Sequence, residues 1–229
     1  MGGRVIFARR VLAIAWKDLV AEWRDRESMT AMCFFAFLVL FLFNFALGGD
    51  QTLIRGASSG LLWLAFAFTA VLGLARSIQG ELANDCLDGL LLYPAEREAI
   101  FLGKLCSSFS VILMVELVSF PIFGVLYNMD IWSQFPKLLL IAVPATLGFA
   151  TAGTLLSTMT VGLRAREALL PFLLFPLTIP LILAAVRGTE VVLRGEAFEL
   201  AVPWLKLMAA FDVLFLVGSL LTFELLIEE

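Results

Sequence analysis

Apolar residues run in six long, nearly uncharged stretches, at Thr30–Gly48, Gly56–Ala75, Leu105–Tyr127, Leu138–Leu163, Ala168–Val186 and Val202–Leu226. Roughly 18–25 apolar residues in a helix match the hydrocarbon thickness of a bilayer, so this pattern predicts six membrane-spanning helices. The polar positions before the first stretch have a helical period of their own. Within 4–27, Val5, Leu12, Trp16, Leu19, Val20 and Trp23 fall on one stripe, with Arg9, Arg10, Lys17, Asp18 and Glu22 largely elsewhere. A basic helix carrying tryptophans prefers the membrane interface, where its rings sit at headgroup depth. It is expected to anchor positive charge on the cytoplasmic side and to lie there as an elbow bracing the bundle. Glu22 and Arg26 have the spacing and order of an i,i+4 ion pair.

The segment 76–104 is the most patterned polar stretch. Leu82, Cys86 and Leu90 recur at helical spacing, while Glu81, Asp85 and Asp88 recur on another face. This predicts a short amphipathic helix over Glu81–Leu92, stopped at Tyr93-Pro94 because proline cannot continue a helix past its first turn. Pro94 then suits the first position of the next helix, with Glu96 and Glu98 near its positive end. Such a surface helix suits either the docking of a soluble partner or a solvated face with no partner. The fold class expected is therefore an all-α membrane protein of six transmembrane helices, with an N-terminal interfacial helix and a short cytoplasmic coupling helix.

Inside the stretches Glu116 stands out. A charged carboxylate near mid-membrane costs roughly 2.5–3.5 kcal/mol. Glu116 is expected to face the bundle interior, as a polar site on a transport path or as a protonated group bonding a neighbouring helix. Asp212 and Glu224 are expected nearer the ends of the last span, within reach of the interface. Pro171, Pro176 and Pro180 fall in one span, and each removes a backbone donor, so kinks or a broken helix are expected there. Gly56 and Gly60 form a GxxxG, and Gly148, Ala152 and Gly153 offer a second small face for close packing.

Composition narrows the function. With 61% hydrophobic and 16% charged residues, the chain lies outside the range of soluble domains. Six spans leave no room for a separate soluble domain. No signal peptide is visible, and a net charge of −4 argues against a nucleic-acid partner. The three cysteines, Cys33, Cys86 and Cys106, form no CxxC pair, so neither a disulfide nor a metal site is expected. The absence of histidine removes His-based zinc sites, Ser–His and Cys–His catalysis and His ligation of heme iron. With Asp212 the one aspartate clearly inside a span, an intramembrane aspartyl enzyme is not expected either. Placing both termini in the cytoplasm puts eleven of the sixteen Lys and Arg inside, six of them before the first span.

The run Glu81-Leu-Ala-Asn-Asp-Cys-Leu-Asp-Gly-Leu-Leu-Leu-Tyr-Pro94, followed by Gly103-Lys104, resembles the cytoplasmic coupling segment of type 2 ABC exporter permeases. More narrowly, Thr160-Val-Gly-Leu-Arg164 and the block Leu170–Leu181 with its three prolines resemble the CcmB heme exporter permease family of cytochrome c maturation. Gly60–Ala65, the run from Lys17-Asp18-Leu19 through Glu22 and Arg24, and the chain length fit that family too. One departure is that Asp85-Cys86-Leu87-Asp88 stands where such permeases often read Gly-x-Leu-Glu.

The resemblance implies a single permease domain over 1–229 and no enzyme in this chain. No G-x-x-x-x-G-K phosphate loop occurs, so ATP is expected on a separate subunit. The family's partners are a soluble CcmA-like ABC ATPase, CcmC-like and CcmD-like membrane proteins and a CcmE-like heme chaperone, with a second copy of the chain alongside. The ATPase-coupling residues implied are Glu81, Asp85, Leu87, Asp88 and Pro94, through which ATPase closure would rock the spans. Glu116, Arg164, Arg166, Pro171, Pro176 and Pro180 are the candidates for a transport path or for the heme-related function. Arg164 and Arg166 suit heme propionates, although positive-inside anchoring explains them as well. Heme is the implied cargo, with no cofactor held by this chain, and the location implied is the bacterial inner membrane. The alternatives are a type 2 permease exporting another amphiphile, a lipid or a drug, and a non-transporting assembly factor that releases a heme chaperone.

Overall fold

The computed structural model describes residues 2–24, 26–48, 51–83, 97–160 and 166–226. Among them are seven α-helices: α1 (Gly2–Arg24), α2 (Arg26–Ala46), α3 (Gln51–Ala83), α4 (Arg97–Leu126), α5 (Ile131–Thr160), α6 (Arg166–Leu193) and α7 (Val202–Leu226). A 3₁₀ turn, Phe198–Ala201, leads into α7. All six predicted spans are present as helices long and apolar enough to cross a membrane: Glu27–Ala46, Thr52–Arg76, Glu98–Leu126, Ile131–Met159, Ala168–Leu193 and Phe198–Thr222. The protein is an all-α, multi-pass membrane protein.

The helices outrun the apolar stretches that announce them. α3 has 33 residues, roughly 50 Å at 1.5 Å per residue, against about 30 Å of hydrocarbon. It continues past Ala75 to Ala83, so Glu81 lies on the end of a membrane helix that faces the side of the termini. The remainder of the predicted surface helix, within 84–96, lies outside the described residues.

α5 is the centre of the bundle and packs against α3, α4, α6 and α7. Of its most apolar 18 residues 67% are buried, against 17% in the first and sixth spans, which places those two at the lipid boundary. Small side chains allow this crowding. Gly148, Ala150, Ala152 and Gly153 are all buried, and a methyl added at Gly153 would collide with Leu74 of α3. The other small pair behaves differently, because a Cβ at Gly56 or Gly60 would meet nothing within 4 Å. An aromatic chain crosses the interior edge to face: Trp63 to Phe66 at 5.5 Å, Phe66 to Phe120 at 5.4 Å and Phe120 to Phe135 at 6.1 Å.

The end of the bundle opposite the termini is closed by polar contacts. Tyr127 donates its hydroxyl to Leu40 O at 3.1 Å, and Asn44 donates to Leu126 O at 2.7 Å, tying α2 to the end of α4. Asp130 caps α5 by accepting from Ser133 N at 3.3 Å. Hydrogen bonds from the Ser133 side chain and backbone hold its carboxyl below the ordinary aspartate range. Gly195, at φ +69, turns the chain out of α6 in a left-handed conformation that glycine adopts without strain.

α1 packs on α4 and α2. Gly103 of α4 is the notch: a Cβ there would stand 2.7 Å from Ile14 Cβ and 3.2 Å from Val11 O. Leu12, Trp16 and Trp23 of the predicted stripe are exposed, which leaves those rings free for the headgroup layer. The face on the bundle is built around Ile14, buried Ala15 and half-buried Asp18, and Leu19 is the residue of the predicted stripe that packs there. The side chain of Arg26 lies outside the described residues, and Glu22 accepts a hydrogen bond from Ser28 at 2.8 Å.

α6 corrects the expectation of a broken span. It is helical without interruption from Arg166 to Leu193 with Pro171, Pro176 and Pro180 inside it. Proline's fixed φ is itself helical. Pro176 and Pro180, four residues apart, share an exposed side. The helix is held from its other side, where Leu174, Leu181, Ala184 and Ala185 are buried.

Candidate functional site

The buried carboxyl of Glu116 lies at the junction of α3, α4, α5 and α6. It is 3% exposed and accepts a hydrogen bond from Thr146 Oγ1 of α5 at 2.6 Å. Thr146 reaches it because α5 runs through the middle of the bundle, so a hydroxyl on the face toward α4 has no lipid to meet. Glu116 opens onto a cavity of about 10 Å³, the scale of one water molecule. Trp63, Phe66, Ala67 and Ala70 of α3 form one wall, and Leu181, Ile182 and Ala185 of α6 another. Above it, Trp63 donates its indole N–H to Thr189 Oγ1 at 2.9 Å, closing α3 against α6.

Beyond that closure, at the end away from the termini, lies a polar depression of about 400 Å³. Arg55, Ser58 and Ser59 of α3, the turn at Asn128–Asp130, and Glu190 and Arg194 of α6 line it. Glu190 is engaged by Arg187 at 3.0 Å and Arg194 at 2.6 Å. The interior thus offers a buried acid beside a water-sized, mainly apolar cavity, and a larger polar mouth beyond it. That chemistry suits holding a proton or a polar group inside the bundle, and among the described residues that line these spaces no nucleophile is paired with a base.

Among the residues singled out from the sequence, Glu116 is where an interior site requires it. Pro171, Pro176 and Pro180 are spread along α6, and none of them lines the Glu116 cavity. Arg166 opens α6, but its side chain lies outside the described residues, as does that of Glu81. Asp85, Leu87, Asp88, Pro94 and Arg164 lie wholly outside them.

Asp212 corrects the sequence reading. It is 8% exposed, midway along its span, and its carboxyl fills the notch that Gly148 leaves in α5. What the sequence reading missed is burial: the carboxyl is received by the gap at Gly148 inside the bundle and does not reach toward the interface. Thr146 and the Trp63–Thr189 bond went unread because a threonine or tryptophan in an apolar run carries no period that marks a partner. The small residue Gly148 was the available signal for Asp212.

A six-span bundle with its polar groups gathered between α3, α4, α5, α6 and α7 defines a membrane protein of the permease class. The chain belongs to the CcmB protein family, whose family model matches residues 9–225, from within α1 to the end of α7. It is similar to Heme exporter protein B of Escherichia coli K12, at 30% identity over 174 residues, covering 76% of this chain and 78% of that protein. The Rhodobacter capsulatus protein of the same name is 29% identical over 174 residues, covering 74% and 76%. The Pseudomonas aeruginosa one is 25% identical over 187 residues, covering 82% and 83%.

Proposed function

We propose that this chain is the membrane permease subunit of an ABC-type heme exporter acting in cytochrome c maturation. The observation that carries the reading is the CcmB family match along residues 9–225, nearly the whole six-span bundle. Relatives named for heme export match three quarters or more of their own length. The chain is a transporter component rather than an enzyme. Its energy comes from a separate CcmA-like ATPase docked near 76–104 on the cytoplasmic side, where both termini lie, in a bacterial inner membrane.

The shape of the interior bears on how heme is handled. A cavity of about 10 Å³ has no room for a porphyrin in this conformation. Heme contact therefore falls on the outer surfaces of the bundle, between two copies, or on CcmC-like and CcmD-like partners and a CcmE-like chaperone. Closure of the ATPase pair, pushing on Asp85, Leu87, Asp88 and Pro94, rocks α3 against α4 as rigid bodies. In that motion the inner end of α3 acts as a lever carrying Glu81.

The test is deletion and complementation in the source bacterium, read by heme staining of c-type cytochromes, together with purification of the chain in mild detergent. Loss of c-type cytochromes, restored by the gene, with a copurifying ATPase and maturation proteins, is expected. Normal cytochromes with a lipid or drug-resistance defect would assign the permease to another amphiphile. Recovery with no ATPase would overturn the ABC reading.

A further inference from the structure

Four buried side-chain polar atoms have no hydrogen-bond partner among the described residues: Gln134 Oε1, Thr154 Oγ1, Asp212 Oδ1 and Ser219 Oγ. Gln134 borders the polar mouth. The other three lie on α5 and α7, the two helices that Gly148 and Asp212 bring into contact. Both helices run from the mouth toward the terminal side, so one contact fixes their register. Thr154 is six residues beyond Gly148, and Ser219 is seven residues beyond Asp212. At 1.5 Å per residue both hydroxyls sit roughly 9–10 Å deeper, at one level. Ser219 also shares the helix face of Asp212, being two turns away.

Orphaned polar groups in a bilayer interior are costly, and three of them on two helices that pack together call for an occupant that supplies donors. Among the described residues no three acidic or thiol groups cluster to hold a metal. A single carboxyl with two hydroxyls a level below suits water and its proton. We propose that the α5–α7 seam is a hydrated proton-binding site, with Asp212 as its acceptor and Thr154 and Ser219 continuing it toward the terminal side.

The seam also adjoins the Glu116 cavity. Leu181 of α6 lines that cavity and packs, through both terminal methyls, against the position where a Gly148 Cβ would stand. Leu181 is thus the apolar partition between the two buried acids. No other described charge faces Asp212. Glu116 of α4 bonds Thr146, on the opposite side of α5. Lys137 of α5 is eleven residues from Gly148, roughly 16 Å along the axis. Arg187 and Glu190 of α6 pair with each other toward the mouth, and Lys206 of α7 is exposed a turn and a half away.

The test uses the full chain in its native membrane, with Cys33, Cys86 and Cys106 replaced and single cysteines placed at Ser219, Thr154 and the lipid-facing Val213. A small thiol reagent that reacts only with solvated thiolate reads hydration. Ser219→Cys and Thr154→Cys are expected to label about tenfold or more faster than Val213→Cys. Equal, slow labelling at all three positions means a dry seam and overturns the proposal. A second measurement does not need the cysteines. In the purified chain in nanodiscs, infrared difference spectra on transfer to heavy water should show an exchanging protonated-carboxyl band. Asp212→Asn should remove it and Leu181→Ala should perturb it. A band unchanged in Asp212→Asn sinks the proton-binding role even if the seam is wet. Neither readout depends on heme, so both stand or fall separately from the export function.

Discussion

Thr146 donates to Glu116 across the α4–α5 contact at 2.6 Å, and two residues further on the same helix Gly148 receives the carboxyl of Asp212. One central helix therefore separates two buried acids, and its own side chains settle how each is accommodated. Thr146 supplies a donor, whereas Gly148 supplies only space.

Thr146→Val keeps the shape and removes that donor. A buried acceptor left unsatisfied costs about 1–3 kcal/mol, so thermal unfolding in nanodiscs should move down accordingly. Glu116→Gln retains an oxygen for Thr146 and is expected to spare insertion and stability while lowering c-type cytochrome yield. Full yield from a stably inserted Glu116→Gln chain would show that the carboxyl serves only as a hydrogen-bond partner.

Gly103→Leu addresses the elbow. A side chain at this position drives into Ile14 and the backbone oxygen of Val11, and the backbone contact cannot be relieved by a rotamer change. Overpacking of this kind costs about 1–3 kcal/mol. α1 should become open to protease while the rest of the bundle stays resistant. Ile14→Ala in the same chain should recover part of the loss, since the two positions touch.

Asp130 provides the pH-dependent cap. Its folded carboxyl lies below the ordinary aspartate range, so the stabilisation is complete above that range and is lost as pH falls through the lowered value. Asp130→Asn, which still caps but does not titrate, should flatten the acid limb of a stability–pH curve around α5. An unchanged acid limb would assign that limb to other carboxyls.

Pro176→Ala restores a backbone donor on an exposed side of α6. Because the helix is already continuous through this position, stability should stay within about 0.5 kcal/mol of the parent, as for other exposed substitutions. A drop beyond about 2 kcal/mol would mean that the ring itself packs against a neighbour.

The six spans were legible because lipid thickness imposes a run length, and a run length is visible in one dimension. The interior position of Glu116 was legible for the same reason, since a carboxylate in hydrocarbon has few places to go. What escaped was rotation and depth. An expectation of Asp212 near the interface missed the gap at Gly148 that buries it, and three prolines suggested a break that packing around Leu174 and Leu181 prevents. For α1, the sequence marks the Trp16 stripe as the amphipathic edge. The contact with the bundle instead depends on Gly103, a single missing side chain on another helix, and no periodicity within α1 records it.

The coupling residues yield the most direct functional prediction. Asp88 belongs to the acidic series Glu81, Asp85, Asp88, and the resemblance to exporter permeases assigns that series to ATPase docking. Asp88→Lys reverses one charge in a polar segment and removes no apolar residue from the bundle, so the membrane protein should accumulate normally. ATPase copurification should fall, because like charges juxtaposed at an interface disfavour the partner by several kcal/mol. A rise in copurification at high salt, where screening weakens that repulsion, would identify the loss as electrostatic. Undiminished copurification and normal c-type cytochromes in Asp88→Lys would remove this face from the docking surface and leave the inner end of α3 as the remaining candidate.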